Sequence, residues 1–348
     1  METLWFGVVS VMLAAYVVLD GFDFGAGIVH RWVARTDDER RTVLAAIGPV
    51  WDGNEVWLVA GGGVLFLAFP RAYSAAFSGF YLAFMFVLWL LIFRGIAIEF
   101  RSHSGNKLWR EFWDSAFMLA SALLALVLGA ALGNVIRGVP LDETGFFAMA
   151  LFTDFQPGTA TGVFDWYTLL VGLFSVLLLA GHGALYLAWK TDGPVQTRSK
   201  LISARAWLLV APAWLAVTGA TAWLQWDLFA SLLARPWTWS LVILMLAGLA
   251  GVFRFQRSNE DRSAFLASCA FIASILAATM AGNFPNLLRS SPNPANSLTA
   301  TNAAAGPLSL QVGLVWLPIG IALAVGYFVY LFWFFSGKQR PGDAADGH

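Results

Sequence analysis

Residues 4–29, LWFGVVSVMLAAYVVLDGFDFGAGIV, form an apolar run of membrane-spanning length that contains the acids of Asp20-Gly21-Phe22-Asp23-Phe24-Gly25. About 20 helical residues cross the roughly 30 Å hydrocarbon layer, so the run predicts a spanning helix that carries two carboxylates within it. A second cluster, Trp51-Asp52-Gly53-Asn54-Glu55-Val56-Trp57, opens the next apolar run. Ionisable groups at such depth cost roughly 2.5 to 3.5 kcal/mol apiece on insertion scales, and function is the usual reason to keep them.

Composition supports the membrane reading. Of 348 residues, 59% are hydrophobic and 12% charged, against about 25% charged in a soluble domain. A single cysteine, Cys269, excludes an intramolecular disulfide and any cysteine-based metal cluster. The formal net charge is zero and no Lys/Arg-rich tract suggests nucleic acid. Met1-Glu2-Thr3-Leu4-Trp5 lacks the basic region of a cleaved signal, so the first segment is expected to remain as a helix.

The fold expected is an all-α integral membrane protein, a single polytopic domain over 1–348 with about nine transmembrane helices. They fall near 4–29, 48–69, 75–99, 113–136, 164–189, 204–226, 237–255, 263–283 and 309–335. Turn signals stand at Phe69-Pro70-Arg71, Gly138-Val139-Pro140, Thr191-Asp192-Gly193-Pro194 and Pro341-Gly342-Asp343. Between the sixth and seventh helices, Trp226 to Pro236 leaves room only for a short turn, and no soluble domain fits anywhere. Sixteen of the 21 Lys and Arg follow odd-numbered helices, and only Arg71, Arg137, Arg235 and Arg289 lie on the other side. The basic side faces the cytoplasm, which puts the N-terminus outside, in the periplasm, and the C-terminus in the cytoplasm.

That topology sets Asp20, Asp23, Asp52 and Glu55 in the cytoplasmic half. Each pair is spaced i, i+3, on one helix face. Gly21 and Gly25 would admit another helix closely. The third helix brings Arg94 and Glu99 to similar depth, Arg94 as counter-charge. One arginine among several acids leaves surplus negative charge, which suits groups that take up and release protons. The hypothesis is a proton path from the cytoplasm lined by these residues; Asp52→Asn or Asp23→Asn with unchanged proton-coupled turnover would sink it.

Structural roles compete with this reading. Acids near helix ends also snorkel to headgroups or form interhelical ion pairs, and Asp114 at the start of the fourth helix is read that way. Trp51 and Trp57 read as interface anchors and packing, and Gly61-Gly62-Gly63 as close helix contact. His182 is read equally as a hydrogen-bonded packing residue and as a proton-path residue. His30 and His103 sit at membrane borders and His348 in the tail, so none makes a convincing ligand. A haem needs axial ligands facing a shared cavity, and His182 is the one intramembrane histidine; Met85, Met118 and Met280 read as core. The chain is a poor candidate to hold several redox centres alone, no metal site is expected, and no nucleotide-binding or nucleophile motif appears.

The two acidic motifs, Ala75-Ala76-Phe77-Ser78-Gly79-Phe80-Tyr81 leading to Phe93-Arg94, Gly133-Asn134 with Gly138-Val139-Pro140, and Phe284-Pro285 with Ser297-Leu298-Thr299 together resemble subunit II of cytochrome bd-type quinol oxidases. The resemblance spans the chain, although the fifth to seventh helices add little beyond hydrophobicity. It implies a larger subunit I carrying two haems b, one haem d and the quinol site, in a complex of the bacterial cytoplasmic membrane that oxidises quinol and reduces dioxygen to water. It further implies no haem in this chain, chemical protons drawn from the cytoplasm, and a proton route partly on Asp52 and Asp23. Asp20 and Glu55 are added from spacing alone. Some members bind a structural quinone or a small single-helix accessory subunit. Two other readings stand beside it. A stand-alone proton-coupled transporter would also bury acids, but no inverted repeat or paired broken helices appear. A purely structural scaffold would show acid-to-amide variants that fail to assemble.

Overall fold

The computed structural model describes residues 1–158 and 161–340; the turn expected at 341–343 and His348 lie outside them. The chain is built from α1 (Glu2–Val33), α2 (Asp37–Ile47), α3 (Trp51–Ala68), α4 (Pro70–Gly79), α5 (Tyr81–Phe100) and α6 (Lys107–Arg137). After two short strands, β1 (Ala150–Phe152) and β2 (Gly162–Phe164), come α7 (Trp166–Lys190), α8 (Gly193–Leu224), α9 (Trp226–Leu233), α10 (Thr238–Arg257) and α11 (Asp261–Asn283). Strands β3 (Asn286–Leu288) and β4 (Leu298–Thr299) precede α12 (Pro307–Phe334). Eight helices are long and apolar enough to cross a membrane. They correspond to all the expected segments except the second, where α3 opens with Asp52, Asn54 and Glu55.

Several boundaries differ from the hydropathy reading, because a helix continues for as long as its backbone bonds and caps are satisfied, whatever its polarity. Residues 36–39 carry a capping box in which Thr36 accepts from the Glu39 amide and Glu39 reaches back to Thr36, so the first connection is itself a helix, α2. Lys107–Arg137 starts two turns before the expected 113, and Gly193–Leu224 extends the sixth segment by 11 residues (193 against 204). The third segment is divided, with α4 ending at Gly79 and α5 starting at Tyr81. Where a short turn was expected after the sixth segment, Trp226–Leu233 forms a helix. The outer loops also carry two small two-stranded pairings, which the all-α expectation omitted.

Helix α1 is the centre of the packing. On one face Gly25 meets Gly183 of α7 so closely that a Cβ on Gly25 would overlap the Leu179 carbonyl oxygen; glycine is what permits this approach. Of Gly61-Gly62-Gly63 only Gly61 touches a neighbour, Leu13 and Met12 of α1, while Gly62 and Gly63 face open space.

Hydrogen bonds tie the helices at both ends. At one end Trp5 Nε1 donates to Leu310 O (3.3 Å), Ala305 N to Ala68 O (2.9 Å) and Val139 N to Arg289 O (2.9 Å). At the other, Tyr186 donates to Ala46 O (2.9 Å), Arg198 to Val33 O (2.9 Å) and Gln339 N to Lys190 O (2.8 Å). Starts of α1, α5 and α12 thus share the first end with the ends of α3 and α6, and the acidic residues lie toward the second.

Candidate functional site

The opposite face of α1 carries charge. Tyr16, Asp20, Asp23 and Phe24 lie on one side of the helix, and all four are buried. Helix α5 runs alongside and delivers Arg94, fully buried, whose Nη1 donates to Asp20 Oδ1 (2.5 Å). Its Nη2 donates to Glu55 Oε2 (2.9 Å) in the second turn of α3. The guanidinium lies 4.5 Å from the centre of the Phe24 ring, a cation–π seat. Beside this trio, Asn54 Nδ2 donates to Asp23 Oδ2 (2.7 Å). Asp20 Oδ2, Asp23 Oδ1, Asn54 Oδ1 and the Tyr16 hydroxyl are buried without a protein hydrogen-bond partner. Two carboxylates therefore share Arg94, and a third, Asp23, stands beside them on Asn54. Asp20 and Arg94 are sealed, while the Glu55 side chain is 21% exposed, so the cluster reaches the surface through Glu55.

The expected site residues divide in two. Asp20, Asp23, Glu55 and Arg94 come together; Asp52 and Glu99 do not. Asp52 is exposed on the first turn of α3, away from the arginine, and Glu99 is exposed one turn beyond Arg94, where its backbone carbonyl pairs with His103 Nδ1 (2.9 Å). An i, i+3 pair is separated by about 60° around a helix, which suffices at the edge of a packed face to turn Glu55 inward and leave Asp52 outside.

His182 contacts the other face of α1. Its Nε2 faces Val18 O (3.0 Å) and its Nδ1 faces Ser268 Oγ (2.7 Å), with the ring stacked on Phe265. A carbonyl can only accept, so Nε2 carries the proton; Ser268 Oγ, beside Nδ1, also lies 2.6 Å from Phe265 O and has one proton for the two acceptors. His30 is buried and donates to Asp114 Oδ1 (2.8 Å). Both nitrogens of His182 and the Nε2 of His30 are thus within hydrogen-bond distance of protein groups. Among the described residues no group of three or more His, Cys, Asp or Glu is placed to hold a metal ion.

Sequence reasoning passed over two features. Asn54 was visible inside the second acidic motif, but an uncharged amide in a polar run carries no depth signal. The other is the set of partners of Asp114, itself read above as a headgroup or ion-pair acid, which build an ionic knot at the same end of the bundle. Asp114, two turns into α6, accepts from His30, from Arg101 Nε (2.6 Å) and Nη2 (3.2 Å), and from Arg40 (2.8 Å). Arg40 and Arg31 also hold Glu111, and Arg101 and Arg110 hold Asp37.

Comparison with known proteins places this geometry in context. Residues 1–335 match the family model described as cytochrome bd terminal oxidase subunit II. A Bacillus subtilis protein named cytochrome bd ubiquinol oxidase subunit 2 is 32% identical over 335 residues, covering 95% of this chain and 96% of the relative. An Escherichia coli protein named cytochrome bd-I ubiquinol oxidase subunit 2 is 29% identical over 370 residues, covering 98% and 95%. The bd oxidase structure from Geobacillus thermodenitrificans shares the fold, with a TM-score of 0.75 at 18% identity over 96% of this chain and 98% of that one.

Proposed function

Because the chain belongs to the cytochrome bd terminal oxidase subunit II family, we propose that it is the haem-free subunit of a quinol:dioxygen oxidoreductase and that it feeds protons from the cytoplasm toward its haem-bearing partner. The observation that carries the proposal is the cluster of two carboxylates on the buried Arg94 with Asp23 beside them on Asn54, in which two carboxylate oxygens are left unpaired and Glu55 reaches the surface. A group that relays protons must accept a proton without dismantling its surroundings, and an oxygen without a donor has that freedom.

The end rich in Lys and Arg faces the cytoplasm on the positive-inside argument, and the cluster lies in the half of the bundle nearer that end. Arg94 holds Asp20 and Glu55 in position. Asp23, kept in place by Asn54, and Glu55 are the exchanging groups. Asp52, exposed and without a partner among the described residues, stands on the outer surface of α3, where it would pass protons to a group outside the subunit. Quinol oxidation and dioxygen reduction belong to the partner.

The test is turnover by the assembled complex. Glu55→Gln and Asp52→Asn should assemble with normal haem content and lose quinol oxidase activity. Normal assembly with normal activity in both would refute the proton role; failure of both to assemble would favour the scaffold reading.

A further inference from the structure

At the end of the molecule away from the acidic cluster, α4 forms one wall of an open groove of about 360 Å³ lined by Arg71, Ser74, Ser78 and Thr144, with Leu298 beneath. Arg71, Ser74 and Ser78 are spaced by three and four residues and so share one helix face, and all three are exposed. From this groove we infer a binding site for the phosphodiester headgroup of a membrane phospholipid.

Three observations carry the inference. The first is an unspent cation. Arg137 pairs with Asp165, Arg235 donates to Ala281 O (2.7 Å) and Phe284 O (3.3 Å), and Arg289 donates to Asn283 (2.6 Å). Arg71, like Arg235 and Arg289, has no carboxylate partner among the described residues, but it is the exposed one of the three and gives one bond, from Nη1 to Asn302 O (2.9 Å), which leaves the rest of its guanidinium fork for an anion.

The second is a pair of uncommitted hydroxyls. Ser10, Ser115 and Ser175, all in helices, donate to the carbonyl four residues back, at 2.7 to 3.0 Å. Ser74 and Ser78 make no such bond, so both can donate into the groove. On the facing wall Asp142 Oδ1 is turned onto its own loop, accepting from Thr144 N (2.9 Å), Thr144 Oγ1 (2.7 Å) and Phe146 N (3.0 Å).

The third observation selects a lipid over free phosphate. Beside the groove, an aromatic column runs Phe66, Tyr73, Phe77, Phe84, with ring centres 5.1, 4.1 and 4.1 Å apart. Phe66 is 60% exposed and Phe77 37%. The column follows the end of α3 and the start of α5, so it lies along the hydrocarbon boundary, where aromatic side chains settle. A phosphate in the groove would therefore have its acyl chains against these rings.

The assembled two-subunit complex, stripped of lipid, provides the test by native mass spectrometry with added phosphatidylethanolamine. Wild type should retain one lipid more than Arg71→Gln or the Ser74→Ala/Ser78→Ala double variant, with affinity about tenfold weaker in each variant, as expected for loss of a charge-assisted contact. Diacylglycerol, which lacks phosphate, should not occupy the site, and inorganic phosphate should not displace the lipid. Equal retention by the double variant, whose exposed serines can be removed without affecting folding, would overturn the inference. Diacylglycerol binding as tightly, or phosphate displacing the lipid fully, would overturn it too.

Discussion

Two acidic centres lie toward the same end of this molecule and are built on opposite rules. Around Asp114 every carboxylate oxygen is occupied: Oδ1 accepts from His30 and Arg101, and Oδ2 from Arg40 and Arg101. Around Arg94 the acids outnumber the base, and Asp20 and Asp23 each keep one oxygen without a donor. Saturation is what a structural ion cluster requires, since any unpaired member would bear the desolvation cost alone. A carboxylate oxygen left without a donor is a vacancy that a proton can fill. The contrast therefore separates a clamp that joins α1, α2 and α6 from a site that can exchange protons.

The largest effect should come from breaking the saturated centre. Asp114→Ala leaves Arg40, Arg101 and His30 without their shared acceptor, and about 3–5 kcal/mol of stability should be lost, measured as a fall in the thermal midpoint and yield of the complex. Turnover per assembled complex should stay normal. A variant that assembles normally but turns over slowly would erase the distinction between the centres.

A second test leaves every charge in place. Gly25→Ala drives a methyl into the α7 backbone at Leu179 and Gly183 and should cost about 1–3 kcal/mol, whereas Gly62→Ala, facing open space, should be close to neutral. Thermal unfolding of the two variants side by side checks this, and equal stabilities would mean the α1–α7 contact is looser than described.

Smaller still is Ser268→Ala, which strips Nδ1 of His182 of its partner. It should cost about 1 kcal/mol with no change in the pH profile of turnover; an altered profile would move His182 from the packing residues to the proton path.

A pH dependence tests a third ion pair. Glu39 accepts from Arg198 (2.7 and 3.2 Å) and from the amides of Arg35 and Thr36. The Arg198 bonds, more than any other contact, pull its carboxyl from the ordinary value near 4.5 down to about 2. A depressed carboxyl stabilises the fold fully above its unfolded value and loses that contribution as pH falls. Wild type should therefore lose stability relative to Glu39→Gln between about pH 4.5 and 2, and parallel acid-denaturation curves would contradict the pairing.

Sequence alone went far toward the Arg94 cluster and little way toward the partners of Asp114. Asp20, Asp23, Glu55 and Arg94 stood out because charge inside an apolar run is conspicuous and the spacing fixes a face. Asp114 and its donors are 84, 74 and 13 residues apart, and nothing local specifies which of many basic residues near helix ends will converge on one acid. Asp52 lies apart from the Arg94 cluster for a related reason, since helical spacing assigns an angle and only packing decides whether that angle is inside. α2 was legible in Thr36 and Glu39 and was passed over because hydropathy, not capping, set the boundaries.

The most direct measurement is proton uptake from the cytoplasmic side by the assembled oxidase carrying Asp23→Asn, timed against dioxygen reduction in membrane vesicles. The amide keeps a hydrogen-bonding oxygen for Asn54 and removes the exchangeable proton. The expected result is a normally assembled complex whose uptake and turnover fall together by at least about a hundredfold, the scale on which a positioned acid–base group acts. Normal assembly with unchanged uptake would contradict the claim that the Arg94 cluster feeds protons.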